Sequence, residues 1–224
     1  MSTESFTFTL REALSSADME LVCQVRVAAY GRKYPEYRES MAVPDAVDRT
    51  PQTTVFLCED KFSGAVIGTM RVQSTTDGGE LEIEKYITVP AALLQHGRAE
   101  ISRLATVPGC DPLVRLALWK AGYLHCLANN IRWLVLGVRK PGLLRAYEEM
   151  GAQDVTEAAS LPHGGNLLYR ILGLDVLAAE DSWQRRNHPL LKFMVHTTHP
   201  DLTVPSMYLH RGRSVSENVG LHVL

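Results

Sequence analysis

The chain has 224 residues, a formal net charge of −2, and 46% hydrophobic residues. This length suits one large domain, or one domain with an extension, and the charge balance gives no reason to expect a nucleic-acid or anionic-membrane partner. The apolar runs are far shorter than the ~20 residues of a transmembrane helix, and the polar N-terminus has no signal-peptide core. Because the four cysteines are scattered without metal-binding spacing, we expect a reduced, cytoplasmic protein with no metal site.

Strand and helix signals alternate through the first half of the chain. The stretch from Phe6 to Leu10 alternates apolar and polar residues, as a strand does, and a helix follows from the cap residues 15–18 to Tyr30. A segment rich in Pro, Asp, Arg and Tyr covers 32–51, and ordered loops of that length often carry function. Two further strands, predicted at 53–58 and 65–73, form a hairpin.

The second half predicts a strand–helix–strand–helix unit and two closing strands. An irregular piece and a short helix are expected between Leu81 and Gln95. The later elements are a strand at 100–107, a helix at 113–129, a strand at 131–138, a helix at 141–150, and strands at 154–156 and 167–172. This order predicts an α/β fold, a mixed central sheet flanked by helices, as a domain at 1–173. Residues 174–224 are expected to form an extension, as a helical arm, a lid or an oligomer contact.

The strand at 100–107 carries charges that a buried strand should lack. Strict alternation places Glu100 and Ser102 on one face and Arg103 on the other. A charge in a central strand is costly unless it is paired. In one interpretation, Glu100 lies at a frayed strand end and Arg103 makes a structural ion pair. In the other, the strand bulges and splays here, so that carboxylate and guanidinium line a cleft.

Three other stretches supply charged partners for this strand. The first, QVRVAAY, places Arg26 and Tyr30 on the same helix face. The second, VPDAVDRT, provides the loop acids Asp45 and Asp48, and the third, IGTMRVQ, places Arg71 in a strand of apolar and small residues. We predict that these groups form a network with Arg103 that closes the 32–51 loop over a substrate.

The element order resembles the GNAT acyltransferase fold, in which two central strands splay apart and admit an acyl thioester between them. The ordered set R…DxxD…GxxR…ExSR resembles the autoinducer synthases, which make acyl-homoserine lactones, and their relatives the N-acyl amino acid synthases. The resemblance implies a site made of Arg26, Asp45, Asp48, Arg71, Glu100, Ser102 and Arg103.

Two features favour the N-acyl amino acid synthases over the lactone synthases. The stretch LEIEKYITVPAALLQ resembles the former more closely. The lactone synthases carry a Phe and a Trp that help bind S-adenosylmethionine, whereas this chain offers Tyr30 and Tyr34 there and has no Trp before Trp119.

The sequence after the charged strand departs from the usual GNAT donor site. GNAT enzymes that use coenzyme A continue with Q/R-x-x-G-x-G/A, whose backbone N–H groups hold the pyrophosphate. This chain continues with ATVPGCDPLVRLALWK, where Asp111 would repel a phosphate and Pro112 lacks an N–H donor. We therefore predict that no cofactor is bound permanently and that the donor is a phosphopantetheine thioester on acyl carrier protein, with acyl-CoA as the alternative donor.

The predicted reaction is the attack of a neutral amine on that thioester. Glu100 is the candidate base, and Ser102 would position it or a water molecule. The oxyanion would bind backbone N–H groups of the bulged strand around Leu104, Ala105 and Thr106. An arginine of the network would bind an acceptor carboxylate. Basic residues that could dock a carrier protein are Arg139, Lys140, Arg145, Arg185 and Arg186.

The first hypothesis is thus an N-acyltransferase that moves a medium or long acyl chain to an amino acid or related small amine. The alternatives are an acyl-homoserine-lactone synthase that uses S-adenosylmethionine and a coenzyme A-dependent N-acetyltransferase. A fourth is a non-catalytic GNAT-like module that binds an acyl ligand or a partner protein. Cys110 is expected to be a structural thiol because no His pairs with it, and the His163–Asn166 stretch is expected to be a hairpin turn.

Overall fold

The computed structural model describes residues 2–31, 34–75, 79–161 and 168–204. Its strands are β1 Ser2–Thr3, β2 Phe8–Glu12, β3 Thr53–Asp60, β4 Val66–Thr75, β5 Arg98–Thr106, β6 Trp133–Val138, β7 Gln153–Ser160, β8 Leu168–Asp175 and β9 Thr197–Thr198. Seven of them form one sheet in the order β2-β3-β4-β5-β6-β8-β7, antiparallel at every step except the parallel pair β5 and β6. The predicted mixed sheet flanked by helices is confirmed.

The longer predicted helices, at 15–30, 113–129 and 141–150, are present with nearly the predicted bounds. They are α1 Ser16–Tyr30, α2 Arg38–Met41, α3 Ala91–Leu94, α4 Leu113–Ala128, α5 Pro141–Met150 and α6 Val176–Arg185. At the start of α1, the Ser15 side chain accepts the Asp18 N–H and the Asp18 carboxylate accepts the Ser15 N–H, which satisfies two otherwise free donors. Short 3₁₀ turns at Pro35–Tyr37, Val47–Arg49 and Glu82–Tyr86 replace longer elements in the irregular segments.

The two faces of the sheet are covered by different helices. On one face α1 buries Val22 and Val25 against β3. On the other face α4 approaches the sheet closely because Gly122 has no side chain: a Cβ there would lie 3.0 Å from both Met70 Cε and Ile101 Cδ1. Strand β5 is therefore a central strand covered on both sides, so every charge on it requires a partner or a cavity.

Strand β5 bulges and then diverges from β6. Its pairing with β4 shifts by one residue next to Arg103, which has φ +53°, in the left-handed region. The structure therefore has the bulge and the divergence of the second interpretation. Strict alternation does not hold at Arg103, whose side chain reaches the same Arg71–Asp45 cluster as Ser102. Strands β5 and β6 pair only from Arg98 to Glu100, and beyond Glu100 no described strand pairs with that edge of β5.

Residues 176–204 pack against the same core. The predicted domain boundary at 173 falls within β8, and Trp183 of α6 is fully buried. Strand β9 pairs in parallel with β1, and the buried Lys120 ammonium donates to the carbonyls of Phe193 and Thr197, each at 2.6 Å. Whether 174–224 forms an arm, a lid or an oligomer contact stays a prediction.

His125 on α4 gives the fold a specific sensitivity to acid. Burial lowers the pKa of His125 to about 4 from its usual 6.5, so between these values the unfolded chain binds a proton that the folded chain does not. Stability should therefore fall as the pH drops from 6.5 to 4, by at most about 3 kcal/mol from this residue. We expect His125→Gln to flatten the dependence of the urea midpoint on pH over this range. The exposed His196→Gln control should retain the wild-type slope, and equal slopes for both variants would contradict this assignment.

Candidate active site

A cavity of about 520 Å³ occupies the gap between the diverging strands β5 and β6. Strand β5 contributes the predicted site residues Glu100, Ser102, Arg103, Leu104, Ala105 and Thr106 to its wall. Strand β6 and the residues that follow it line the opposite side, from Leu136 to Lys140. Tyr30 and Arg71, also predicted from the sequence, complete the wall on the α1 side.

Glu100 lies at the base of the divergence and is 7% exposed. One of its carboxylate oxygens accepts the backbone N–H of Ile83 at 2.8 Å. Burial raises the pKa of Glu100, while this hydrogen bond and the Arg71 charge offset part of the rise. The site therefore holds a carboxylate that is more basic than one in water. Ile83 belongs to an irregular segment, and no sequence signal pointed to its contact with Glu100.

Asp45 joins two arginines from different strands. Both of its oxygens accept Arg71 Nη1, at 2.8 and 2.9 Å, and one of them accepts Arg103 Nη2 at 3.0 Å. Arg71 Nε also donates to Ser102 Oγ at 2.9 Å. Burial alone would raise the pKa of Asp45, but the charges of Arg71 and Arg103 hold it well below its usual range. Asp45 is therefore ionised under all ordinary conditions, and it ties the 32–51 loop to β4 and β5.

Arg26 and Asp48 lie behind this cluster and do not line the cavity. Arg26 donates to both oxygens of Asp48, at 2.6 and 2.9 Å, and the two side chains are 2% and 0% exposed. Asp48 and Asp45 also accept each other's backbone N–H groups at 3.0 Å. The pair thus fixes the loop that presents Asp45, and the predicted network exists with Arg26 and Asp48 as its buried base.

Tyr30 connects helix α1 to the bulge in β5. Its hydroxyl donates to the carbonyl of Leu104 at 2.8 Å. Burial raises the pKa of Tyr30 to about 12, so the phenol stays protonated and keeps this hydrogen bond. Because the bond fixes the peptide between Leu104 and Ala105, Tyr30 positions the free edge of β5.

Tyrosines and Arg139 form the wall of the cavity opposite the bulge. Arg139 Nη2 donates to the Tyr34 hydroxyl at 2.5 Å, and the guanidinium carbon lies 5.1 Å from the Tyr34 ring centroid and 5.6 Å from that of Tyr169. The cluster brings together residues up to 135 positions apart, which no local pattern indicates. Arg139 is among the candidate carrier-protein contacts named from the sequence, and in the structure its side chain lines the cavity.

The start of helix α4 offers few donors to a phosphate. The Leu113 N–H is donated to the Asp111 side chain at 2.8 Å, and the Val114 N–H to the Asp111 carbonyl at 3.0 Å. Pro112 has no N–H at all. The backbone groups that hold a pyrophosphate in a glycine-rich loop are therefore absent or already bonded here.

Other predicted features have structural roles or lie outside the described part of the chain. Cys23, Cys58 and Cys126 are buried, Cys110 is partly buried, and none of the four forms a disulfide. Within the described residues no cluster of three His, Cys, Asp or Glu could hold a metal ion. In that same part of the chain, no helix combines the length and the apolar character that spanning a membrane requires. The His163–Asn166 stretch lies outside the described residues.

Solved structures with the same fold include three acyltransferases of different kinds. FeeM, an N-acyl amino acid synthase from uncultured soil microbes, is 14% identical, with 84% of this chain and 98% of that chain covered and a TM-score of 0.62. BjaI, a CoA-dependent acyl-homoserine lactone synthase solved with SAM and isopentyl-CoA, is 16% identical, with 92% and 98% covered and a TM-score of 0.57. The ribosomal-protein-S18-alanine N-acetyltransferase from Escherichia coli is 15% identical, with 75% and 94% covered and a TM-score of 0.53. These likenesses establish the GNAT fold.

The sequence itself identifies the family. No curated protein matches the chain. The family model described as N-acyl amino acid synthase FeeM matches residues 22–175, which is well over half of the chain and includes every predicted site residue. The resemblance seen in the sequence motifs is therefore confirmed: the chain is an acyltransferase and belongs to the N-acyl amino acid synthase family.

Proposed function

We propose that the protein transfers a medium or long fatty acyl chain from acyl carrier protein to the amino group of an amino acid or a related small amine. One observation carries the proposal: the gap between β5 and β6 has a buried carboxylate at its base and the unpaired edge of β5 along one wall. A thioester lying in this gap would meet both the base and backbone donors.

Glu100 is the proposed base. The amine must lose its ammonium proton before it can attack, and a carboxylate with a raised pKa accepts that proton better than an ordinary one, directly or through a water molecule. The neutral amine nitrogen then bonds to the thioester carbonyl carbon and gives up its second proton as the C–S bond breaks, and the phosphopantetheine sulfur leaves as a thiolate that takes up that proton. The first proton passes from Glu100 to water, which restores the carboxylate. The products are an N-acyl amide and the free thiol, without a covalent acyl-enzyme.

The free edge of β5 is the proposed oxyanion site. The tetrahedral intermediate places negative charge on the former carbonyl oxygen, and fixed backbone N–H groups stabilise such a charge. The segment Leu104–Thr106 lies past the point where β6 diverges, and Tyr30 holds the Leu104 peptide in position. Three residues of the cluster act as positioning residues because their polar groups are already bonded within it. Arg71 and Arg103 both donate to Asp45, and Ser102 Oγ accepts a hydrogen bond from Arg71.

The choice of donor rests on the start of α4. A phosphopantetheine arm carries one phosphodiester and needs fewer hydrogen-bond donors than the pyrophosphate of coenzyme A. This suits the start of α4, where Asp111 already accepts the Leu113 N–H and Pro112 has no N–H. A second hollow, of about 700 Å³, lies between α4 and α5 and shares Leu143 and Tyr147 with the cavity, so there is apolar space for a long chain. Acyl-CoA is the alternative donor, since BjaI, described as CoA-dependent, has the same fold.

The proposal is tested with one acyl chain on two donors. The protein is incubated with dodecanoyl-acyl carrier protein, or with dodecanoyl-CoA at equal concentration, and an equimolar mixture of the twenty amino acids, and products are identified by mass spectrometry. We expect N-dodecanoyl amino acids from both donors, with kcat/KM about 10-fold or more higher for the carrier protein, because the helix start offers no pyrophosphate donors.

Each part of the proposal can fail separately in this experiment. Equal or better use of dodecanoyl-CoA would remove the carrier protein from the proposal. Formation of a lactone when S-adenosylmethionine is added would favour a lactone synthase, and the absence of any acylated amine would overturn the proposed function. The cytoplasmic location stays a prediction.

A further inference from the structure

We infer that Arg139 binds the carboxylate of the acceptor and so selects amines that carry a carboxylate near the amino group. This inference rests on the proposed function and names the residue that would recognise the acceptor. The three arginines expected from the sequence to do this, Arg26, Arg71 and Arg103, all donate to Asp45 or Asp48 instead.

Arg139 stands opposite the proposed oxyanion site. Strands β5 and β6 are parallel, and Glu100 pairs with Val135 at the last step before they diverge. Leu104 lies four residues after Glu100, and Arg139 lies four residues after Val135. Since the strands run in the same direction, Leu104 and Arg139 lie at a similar height on opposite sides of the gap. A small amine held at Arg139 would therefore have its amino group facing the thioester carbon rather than the outer surface.

Aromatic rings and a phenol hold the Arg139 guanidinium in place. Two tyrosine rings flank it and the Tyr34 hydroxyl accepts one of its five N–H donors, which leaves others for a ligand. In the described part of the chain no carboxylate lies within ion-pair distance of Arg139, whereas Arg71 and Arg103, which also line the cavity, both pair with Asp45. A partly buried, preorganised arginine with free donors is suited to a carboxylate, which it binds through two parallel hydrogen bonds.

The position of Arg139 favours the acceptor over the donor phosphate. Its side chain contacts Tyr34 in the 34–37 segment and Tyr169 of β8. Two further cations at the cavity, Arg115 and Lys140, also border the hollow between α4 and α5, where the donor arm would enter. The site therefore has separate positive groups for the two substrates.

The test compares each amino acid with its carboxamide. With dodecanoyl-acyl carrier protein as donor, the wild-type protein should acylate the twenty-amino-acid mixture far better than the matching mixture of amino carboxamides. For the best acceptor, Arg139→Gln should raise KM for the acid about 10- to 100-fold with kcat nearly unchanged, and should leave KM for the carboxamide as it was. Arg139→Lys should have a KM for the acid between the values of the wild type and Arg139→Gln. The exposed Arg49→Gln variant serves as the matched control.

The outcomes separate this inference from the function on which it rests. If the wild-type protein acylates neither mixture, the proposed function fails. If it acylates acids and carboxamides equally, or if Arg139→Gln keeps the preference for acids, the inference is overturned while the function stands. If Arg139→Gln loses activity toward acids and carboxamides equally, with an unchanged unfolding midpoint, the inference is also overturned. If Arg139→Gln does not fold, Arg139→Lys is used in its place, and a preference for acids over carboxamides as strong as that of the wild type would overturn the inference.

Discussion

Glu100→Gln should lower kcat for acyl transfer by about 10²- to 10⁴-fold, the usual contribution of a general base. Glutamine keeps the size of the side chain, and its amide oxygen can still accept the Ile83 N–H, so the fold around the cavity should survive. What is lost is the ability to take a proton from the acceptor ammonium. The measurement is single-turnover acylation at saturating acceptor, with the unfolding midpoint recorded for each protein.

The dependence on pH distinguishes a base from a residue that only shapes the cavity. Because burial raises the pKa of Glu100, its protonated and inactive form persists to higher pH than that of a glutamate in water. For the wild-type protein kcat should therefore fall as the pH drops through this raised pKa. This fall is the acidic limb of the plot of kcat against pH, and Glu100→Gln should lack it.

A matched control and a clear contrary result accompany this prediction. Glu180→Gln, an exposed carboxylate on α6, should keep both the rate and the limb. If Glu100→Gln transferred acyl groups at the wild-type rate, Glu100 would not be the base. If its rate fell but the acidic limb remained unchanged, the carboxylate would have a positioning role and another group would accept the proton.

The sequence motifs were sufficient to predict the cluster of charges that joins the 32–51 loop to β4 and β5. Ionised groups in strands are rare and expensive, so Arg71, Glu100 and Arg103 could be recognised as residues that need partners, and the loop acids Asp45 and Asp48 were the available ones. The strand–helix–strand order predicted a mixed sheet, and the structure has the parallel β5–β6 pair that a crossover helix allows.

The parts that could not be predicted depend on long-range geometry. The bulge at Arg103 breaks the alternation that a period-2 pattern assumes, and only the pairing with β4 defines where the extra residue lies. The Ile83 contact involves a backbone N–H, which carries no sequence signature. The contact between Arg139 and Tyr34 joins residues 105 positions apart, whose types are ordinary on any protein surface. Local patterns therefore identified the charged residues and their aspartate partners, but not the contacts that depend on a bulge, on a backbone N–H or on residues far apart in the sequence.

Asp48→Asn should destabilise the protein by about 3 to 5 kcal/mol, the usual cost of removing one member of a buried ion pair. The variant leaves the Arg26 guanidinium, which is 2% exposed, facing a neutral amide. It also weakens the reciprocal hydrogen bonds that fix the loop carrying Asp45. Urea unfolding should show the loss directly. Asp154→Asn, which disrupts an exposed pair with Arg170, is the matched control and should leave the urea midpoint close to that of the wild type.

A double variant separates the stability of this pair from its function. Arg26→Leu with Asp48→Leu removes both charges, so no unpaired ion remains, and the urea midpoint should return most of the way to the wild-type value. Acyl transfer should stay low, because Asp45 then lacks the loop geometry that holds Arg71 beside Ser102. If the double variant were as unstable as Asp48→Asn, packing rather than the unpaired charge would explain the loss. If it were stable and fully active, the buried pair would have no part in forming the site, and the network would be reduced to Asp45 with its two arginines.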